Sequence, residues 1–259
     1  MIYILRHGER ADYGPQYEKD KIELSFDPHL TDLGKLQAYY AGETIKSLTK
    51  QAYEKNLLKT DKVKYLVVSS PFLRCIQTSY HVIQALGQEN VLNKTIYLEE
   101  AVCEHLSSNY FKTNPLPQLL SRTKIQEVQK KYVDFDIQDG LVEKGTYLYT
   151  PKYPETYDTF DERKEAIRAI IEHYATKINK DEDIVLVIAT HGWSVEAFLE
   201  DHGLLDDYDI RYTCLNQLLY DPTHPKKGKV LVHKHHDQLK IAEEKYKSQK
   251  DNKDEKVIV

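Results

Sequence analysis

MIYILRHGER, residues 1–10, sets a short apolar run against a cluster of charge. The run Ile2–Leu5 is too short for a helix and too continuously apolar for an exposed strand, which predicts a buried strand of a parallel sheet. Directly after it, His7 stands between Arg6 and Arg10. Two guanidinium groups held close repel each other and depress the pKa of an imidazole between them. Such a cluster costs stability unless an anion neutralises it, so an anion-binding site is expected at this strand's end.

Two further runs have the same character, VKYLVV at 63–68 and IVLVIA at 184–189. Each of the three runs is followed by a helical pattern, over 31–50, 71–86 and 194–201. A fourth helix, over about 155–178, precedes the third strand as a crossover. Strands alternating with helices predict an α/β fold, a layered α/β/α arrangement around a mostly parallel central sheet. CLNQLLYD (214–221), the turn HPKKGK (224–229) and VLVHKHHD (230–237) predict a terminal hairpin. From about residue 87 to 154 the periodicity loosens, and a loop-rich insertion roofing the site is expected there. One domain over 1–237 and a charged, flexible tail over 238–259 complete the organisation.

In an open α/β sheet, ligands gather beyond the carboxyl ends of the strands, where helix N-termini offer free donors. The segments at the ends of the three runs are therefore the informative ones: Arg6-His7-Gly8-Glu9-Arg10, Ser69-Ser70-Pro71-Phe72-Leu73-Arg74, and Thr190-His191-Gly192. Three strand ends would bring two histidines and three arginines together. Arginine's planar fork matches phosphate oxygens, and no lysine stands at these positions. A neutral imidazole among arginines is a nucleophile suited to phosphorus, which assigns that part to His7. His191 suits donation to a phosphoryl oxygen.

RHGER, SSPFLRCIQTS and THG at these positions resemble the histidine phosphatase (phosphoglycerate-mutase-like) superfamily. DPHLTDLGKLQA (27–38), VCEHL (102–106) and YPETYDTFDER (153–163) extend the resemblance toward the phosphatase domains of the suppressor-of-T-cell-receptor-signalling (Sts) family. The resemblance implies a cofactor-independent phosphomonoesterase working through phosphohistidine on His7. It further implies that Arg6, Arg10, Arg74 and His191 bind the phosphoryl group, that Glu104 donates the proton, and that the domain forms homodimers. The chain departs from the family in Thr190, where alanine or valine is frequent, and the binding modules found upstream in Sts proteins are expected to be missing.

Blander readings stand beside these. Arg74 taken alone suits an ion-pairing helix surface, and His191 a satisfied core histidine. Glu99, Glu100 and Glu104 share one acidic stretch; Glu99, Glu100 and His105 are expected at the surface. HKHHD at 233–237 suits a metal by composition, but alternate strand residues face opposite ways, so a polar strand edge and no metal site is expected. A mutase and a non-catalytic interaction module on the same fold are the competing functions.

The open, loop-rich insertion is compatible with phosphotyrosine peptides, nucleotides or small metabolites, so a phosphorylated small molecule or phosphoprotein is the expected substrate. With 41% apolar and 30% charged residues and a net charge of -5, the chain gives no electrostatic case for nucleic acid or an anionic membrane. No apolar run reaches the length of a bilayer and no signal-like segment is seen, so a cytoplasmic location is expected, with a nuclear one as the alternative. The three cysteines, Cys75, Cys103 and Cys214, have the spacing of neither a disulfide framework nor a zinc site, and are expected to be reduced packing residues.

Overall fold

The computed structural model describes residues 1–140, 147–175, 183–204, 209–220 and 228–254. Its strands are β1 (Ile2–Arg6), β2 (Val63–Ser69), β3 (Val91–Leu98), β4 (Asp136–Asp139), β5 (Asp183–Thr190), β6 (Leu215–Leu219) and β7 (Lys229–His235). They form one sheet in the order β4-β3-β2-β5-β1-β6-β7. The first five of that order run parallel, while β6 pairs antiparallel with β1 and β7 antiparallel with β6.

The long helices are α2 (Asp32–Glu54), α3 (Leu73–Leu86), α6 (Phe160–Ala175), α7 (Gly192–Asp201) and α8 (Asp237–Asp254); α1 (Gln16–Lys19), α4 (Leu120–Thr123) and α5 (Ile125–Val128) are single turns. Because strand side chains alternate, β1 sends Tyr3 and Leu5 into one core and Ile2 and Ile4 into the other. The first core holds Ile45 of α2 and Ile76 and Ile83 of α3, and the second holds Ile167 and Ile170 of α6 and Val195 and Phe198 of α7. Two buried faces explain why β1, β2 and β5 read as unbroken apolar runs. The layered α/β/α arrangement is the one expected.

Three expectations need correction. Residues 87–154 are not wholly an insertion, since β3 and β4 within them extend the sheet. β3 carries Asn93, Lys94 and Thr95 in its middle, and Asn93 and Lys94 adopt positive φ, so the apolar alternation that marks a strand is broken there. The tail expected to be flexible over 238–259 forms α8 up to Asp254, which docks with Ala242 and Gln238 buried; residues 255–259 lie outside the described residues. The helix before β5 begins at Phe160 rather than near 155; its expected end at 178 and most of the turn 224–229 lie outside the described residues. No helix among the described residues is long and apolar enough to cross a membrane.

Candidate active site

β2, β5 and β1 lie side by side at the centre of the sheet, in register so that Ser69 pairs with Ala189 and Arg6 with Thr190. Parallel neighbours end on the same edge, which is how three segments distant in sequence meet. The backbone ties them further: His7 N donates to Thr190 O (2.8 Å) and Ser70 N to Ala189 O (3.0 Å). The loop after β1 presses against the start of α2, where a Cβ on Gly8 would overlap the Gly34 carbonyl and one on Gly34 would overlap Glu9. Thr31 caps α2 by accepting from Gly34 N (2.9 Å), while its hydroxyl donates to Glu9 Oε1 (2.9 Å). Only glycine pairs permit that approach.

His7 is buried, and its Nδ1 lies 2.7 Å from the Gly8 carbonyl oxygen. A carbonyl only accepts, so Nδ1 carries the hydrogen and Nε2 keeps its lone pair. Burial, then Arg74 and Arg6, hold the imidazole well below its ordinary pKa. The sequence pairs His7 with Arg6 and Arg10, whereas the nearer cationic influence comes from Arg74, a residue of α3. His191 is fully buried with Nε2 2.7 Å from Ser70 Oγ and Nδ1 3.2 Å from both Arg74 Nη2 and Glu104 Oε2. Burial, opposed by Glu104 and aided by Arg74, lowers its pKa to about 4. The rings of His7 and His191 stand 5.3 Å apart, edge to face.

The arginines differ in what already engages them. Arg74 is 1% exposed, contacts Glu104 (3.2 Å), stacks over the Phe72 ring, and leaves Nε and Nη1 without a hydrogen-bond partner. Arg6 rests over Tyr212 and donates to Ile210 O, with Nε unpartnered. Arg10 turns its fork to Asp12, at 2.9 and 2.5 Å. All three line an open cavity of about 790 Å³, together with Glu104.

Glu104 is the one acidic residue of its stretch that reaches His7 and His191. Burial pushes its carboxyl pKa up, but His191 and Arg74 outweigh that and hold it well below the carboxylate range. With His191 neutral above about pH 4, Arg74 is the lasting counter-ion at neutral pH. Glu99 and Glu100 are buried rather than at the surface: Glu99 accepts from Leu148 N and Glu100 pairs with Arg122. His105 is also buried, stacked on Trp193 with centroids 4.0 Å apart.

Sequence reasoning passed over the clamp that holds Glu104. Arg163 of α6, fully buried, donates to the carbonyls of Ala101 (3.1 Å) and Cys103 (2.7 Å) and to Glu155 Oε2 (2.6 Å). Glu155 Oε2 in turn accepts from Leu106 N (2.7 Å). Both residues fall in YPETYDTFDER, the only signal for them in the sequence. Thr190 donates to Val102 O (2.6 Å) and fastens the same loop to β5.

Ligand atoms of His7, Glu104 and His191 lie within 4.8 Å of one another, the spacing of a three-ligand metal site. The guanidinium groups of Arg6 and Arg74 beside them disfavour a divalent cation and favour an anion. Among the described residues no such group forms at 233–237. Cys75, Cys103 and Cys214 are buried and free.

Residues 2–102 match the histidine phosphatase superfamily (branch 1). A sequence search of curated proteins gives no match. The ecdysone phosphate phosphatase from Bombix mori, solved in complex with tungstate, is similar in structure, with TM-score 0.56, 18% identity, 89% of this chain and 91% of that chain covered. The phosphoglycerate mutase from Bacillus anthracis str. Sterne is similar with TM-score 0.52, 14% identity, 93% of this chain and 96% of that chain covered. At these identities the likeness speaks to the fold. The sequence likeness to the superfamily thus covers residues 2–102, and over most of its length the chain shares the fold of these two enzymes.

Proposed function

We propose that the protein is a phosphomonoesterase in which His7 carries the phosphoryl group. The observation that carries this reading is the fixed tautomer of His7: Nδ1 is tied to Gly8 O, so Nε2 holds a free lone pair beside Arg6 and Arg74. In the first step Nε2 forms an N–P bond as the ester P–O bond breaks, and Glu104 gives a proton to the departing oxygen. Arg6, Arg10, Arg74 and His191 bind the phosphoryl oxygens, where preorganised donors stabilise the transition state. Water then attacks phosphorus, returning a proton to Glu104 and the electron pair to Nε2. The His191 contact with Glu104 and the Arg10 contact with Asp12 must exchange for contacts to substrate.

The shared motifs at 27–38, 102–106 and 153–163 support an Sts-type member over a mutase. Asp27 within them accepts from Leu73 N and Leu120 N, and Glu155 and Arg163 build the clamp on the Glu104 loop. The ecdysone phosphate phosphatase supports hydrolysis rather than transfer, and a cytoplasmic setting fits the reduced cysteines.

Rapid quenching during turnover of a phosphate ester tests the covalent step. The trapped phosphoryl group is expected to be acid-labile and alkali-stable, and His7→Ala to abolish both trapping and turnover. Full activity in that variant removes His7 from the mechanism. Activity lost in chelator and restored by a divalent ion would favour the metal reading instead.

A further inference from the structure

β7 pairs antiparallel with β6, His235 opposite Leu215, so the chain that leaves β7 for α8 runs beside the chain that enters β6. That entering stretch, residues 210–214, wraps around Arg6. Ile210 O accepts from Arg6 Nη1, the Tyr212 ring centre lies 4.5 Å from the Arg6 guanidinium carbon, and Cys214 O accepts from Arg6 N (3.2 Å). In the same stretch Thr213 N donates to His7 O (3.2 Å). Both the amide and the guanidinium of Arg6 are thus held by one short segment. With Nη1 engaged by Ile210, Nε stands without a partner at the cavity that an oxyanion would enter.

The segment does not hold its shape by itself. Thr213 has φ +49°, in the left-handed region that a β-branched residue rarely adopts, and such a conformation relaxes unless its neighbours fix it. The neighbour on the far side is Gln238, in the first turn of α8 and 1% exposed. Its Nε2 donates to Thr213 O (2.7 Å) and also reaches His235 O (3.3 Å) and Thr213 Oγ1 (3.5 Å). Its Oε1 has no hydrogen-bond partner. A buried amide with an unmatched oxygen costs more than an apolar side chain of similar size. What the amide supplies in return is the grip on Thr213. α8 gives that grip a firm base, since it packs on α2 with Ala242 buried.

We propose that Gln238 is a positioning residue for Arg6, acting through Thr213 and Tyr212, so that α8 sets the aim of a guanidinium that α8 never touches. The proposal rests on the reading of Arg6 as a phosphate ligand. Without the amide, Thr213 is free to leave its left-handed conformation, and the Tyr212 ring and the Ile210 carbonyl shift with it. Arg6 then keeps its charge but loses its direction, which weakens binding of the oxyanion and leaves the Glu104 side of the site untouched.

The test is a double-mutant cycle on tungstate affinity, read by calorimetry so that turnover is not required. Gln238→Met removes the donors at nearly constant volume and is expected to weaken tungstate binding about three- to tenfold. In an Arg6→Ala background there is no guanidinium left to aim, and the same change is expected to have little further effect. The ratio of turnover on alkyl to nitrophenyl phosphate is expected to stay as in the wild type. Where Gln238→Met lowers the folded fraction, Gln238→Asn, which keeps a polar head a methylene short of Thr213 O, takes its place in the cycle. Unchanged affinity in the single variant, or an equal loss in both backgrounds, overturns the inference while the phosphate site stands. Failure of the wild type to bind tungstate overturns the reading of the arginines and the inference with it.

Discussion

Arg74 Nη2 lies 3.2 Å from Glu104 Oε2, so the guanidinium proposed to bind phosphate already holds the carboxylate proposed to donate a proton. In the free protein this pairing keeps Glu104 ionised and unfit as an acid. A phosphoryl dianion that takes over Arg74 removes that counter-ion and adds a negative neighbour, and both changes raise the Glu104 pKa. In the proposed mechanism substrate binding thus protonates its own acid. Binding of tungstate at neutral pH is expected to take up a proton, read by calorimetry in buffers of different ionisation enthalpy. Equal proton uptake in Glu104→Gln would show that another group titrates.

General acid catalysis matters most when the leaving group is poor. Glu104→Ala is expected to lose about two to four orders of magnitude in kcat on alkyl phosphates and much less on nitrophenyl phosphate. The measurement is turnover against leaving-group pKa for wild type and variant. Parallel lines of equal slope would assign the acid elsewhere; burial of Glu99 and Glu100 away from the cavity lining makes neither a ready substitute.

The central sheet was legible because β1, β2 and β5 are buried on both faces, which forces continuous apolar runs. The same rule explains what was missed. β3 and β4 lie toward the edge, with polar and half-buried positions, and their short irregular patterns resemble loops. His7, His191, Arg6, Arg10 and Arg74 were legible because they stand directly after strand ends. Glu104 could be singled out only through a resemblance, since choosing it over Glu99 and Glu100 depends on a loop path set by Arg163 from a distant helix. The burial of His105 was illegible for a like reason: its partner Trp193 comes from α7, and no spacing in the sequence announces a stack between them.

Both site histidines are buried neutral, and this predicts an acid-sensitive fold. For His191 the ordinary pKa is 6.5 and the folded value about 4, so between these the unfolded chain binds more protons than the folded one. Its stabilising effect is complete above pH 6.5 and declines as pH falls toward 4, by roughly 2 kcal/mol at pH 5. His7 acts in the same direction, and Glu104, held below its ordinary value, adds a further loss at lower pH. Urea unfolding at about pH 7.5 and pH 5 is expected to show this loss in wild type and a smaller one in His191→Gln. An identical difference in both proteins would assign the acid sensitivity to other groups.

Arg163 and Glu155 do not themselves line the cavity, yet Arg163 also donates to the Glu104 carbonyl (3.5 Å) and the pair sets where Glu104 stands. Arg163 gathers the carbonyls of Ala101 and Cys103 on one side of Glu104, and Glu155 holds the amide of Leu106 on the other. Breaking a buried pair of this kind by removing one partner costs about 3–5 kcal/mol, because the remaining charge is left uncompensated. Arg163→Ala therefore tests folding more than positioning. Glu155→Gln is the sharper variant: it keeps an acceptor for Leu106 and Arg163 but removes the counter-charge of Arg163, so its folded fraction is measured beside its activity. Its expected signature is a shift toward the Glu104→Ala pattern, with kcat falling about tenfold or more on alkyl phosphates and little on nitrophenyl phosphate. A merely structural role would lower both activities together with the folded fraction. A uniform loss across leaving groups would therefore reduce the Arg163 and Glu155 pair to support of the fold, while a loss confined to poor leaving groups marks them as positioning residues for the proton donor.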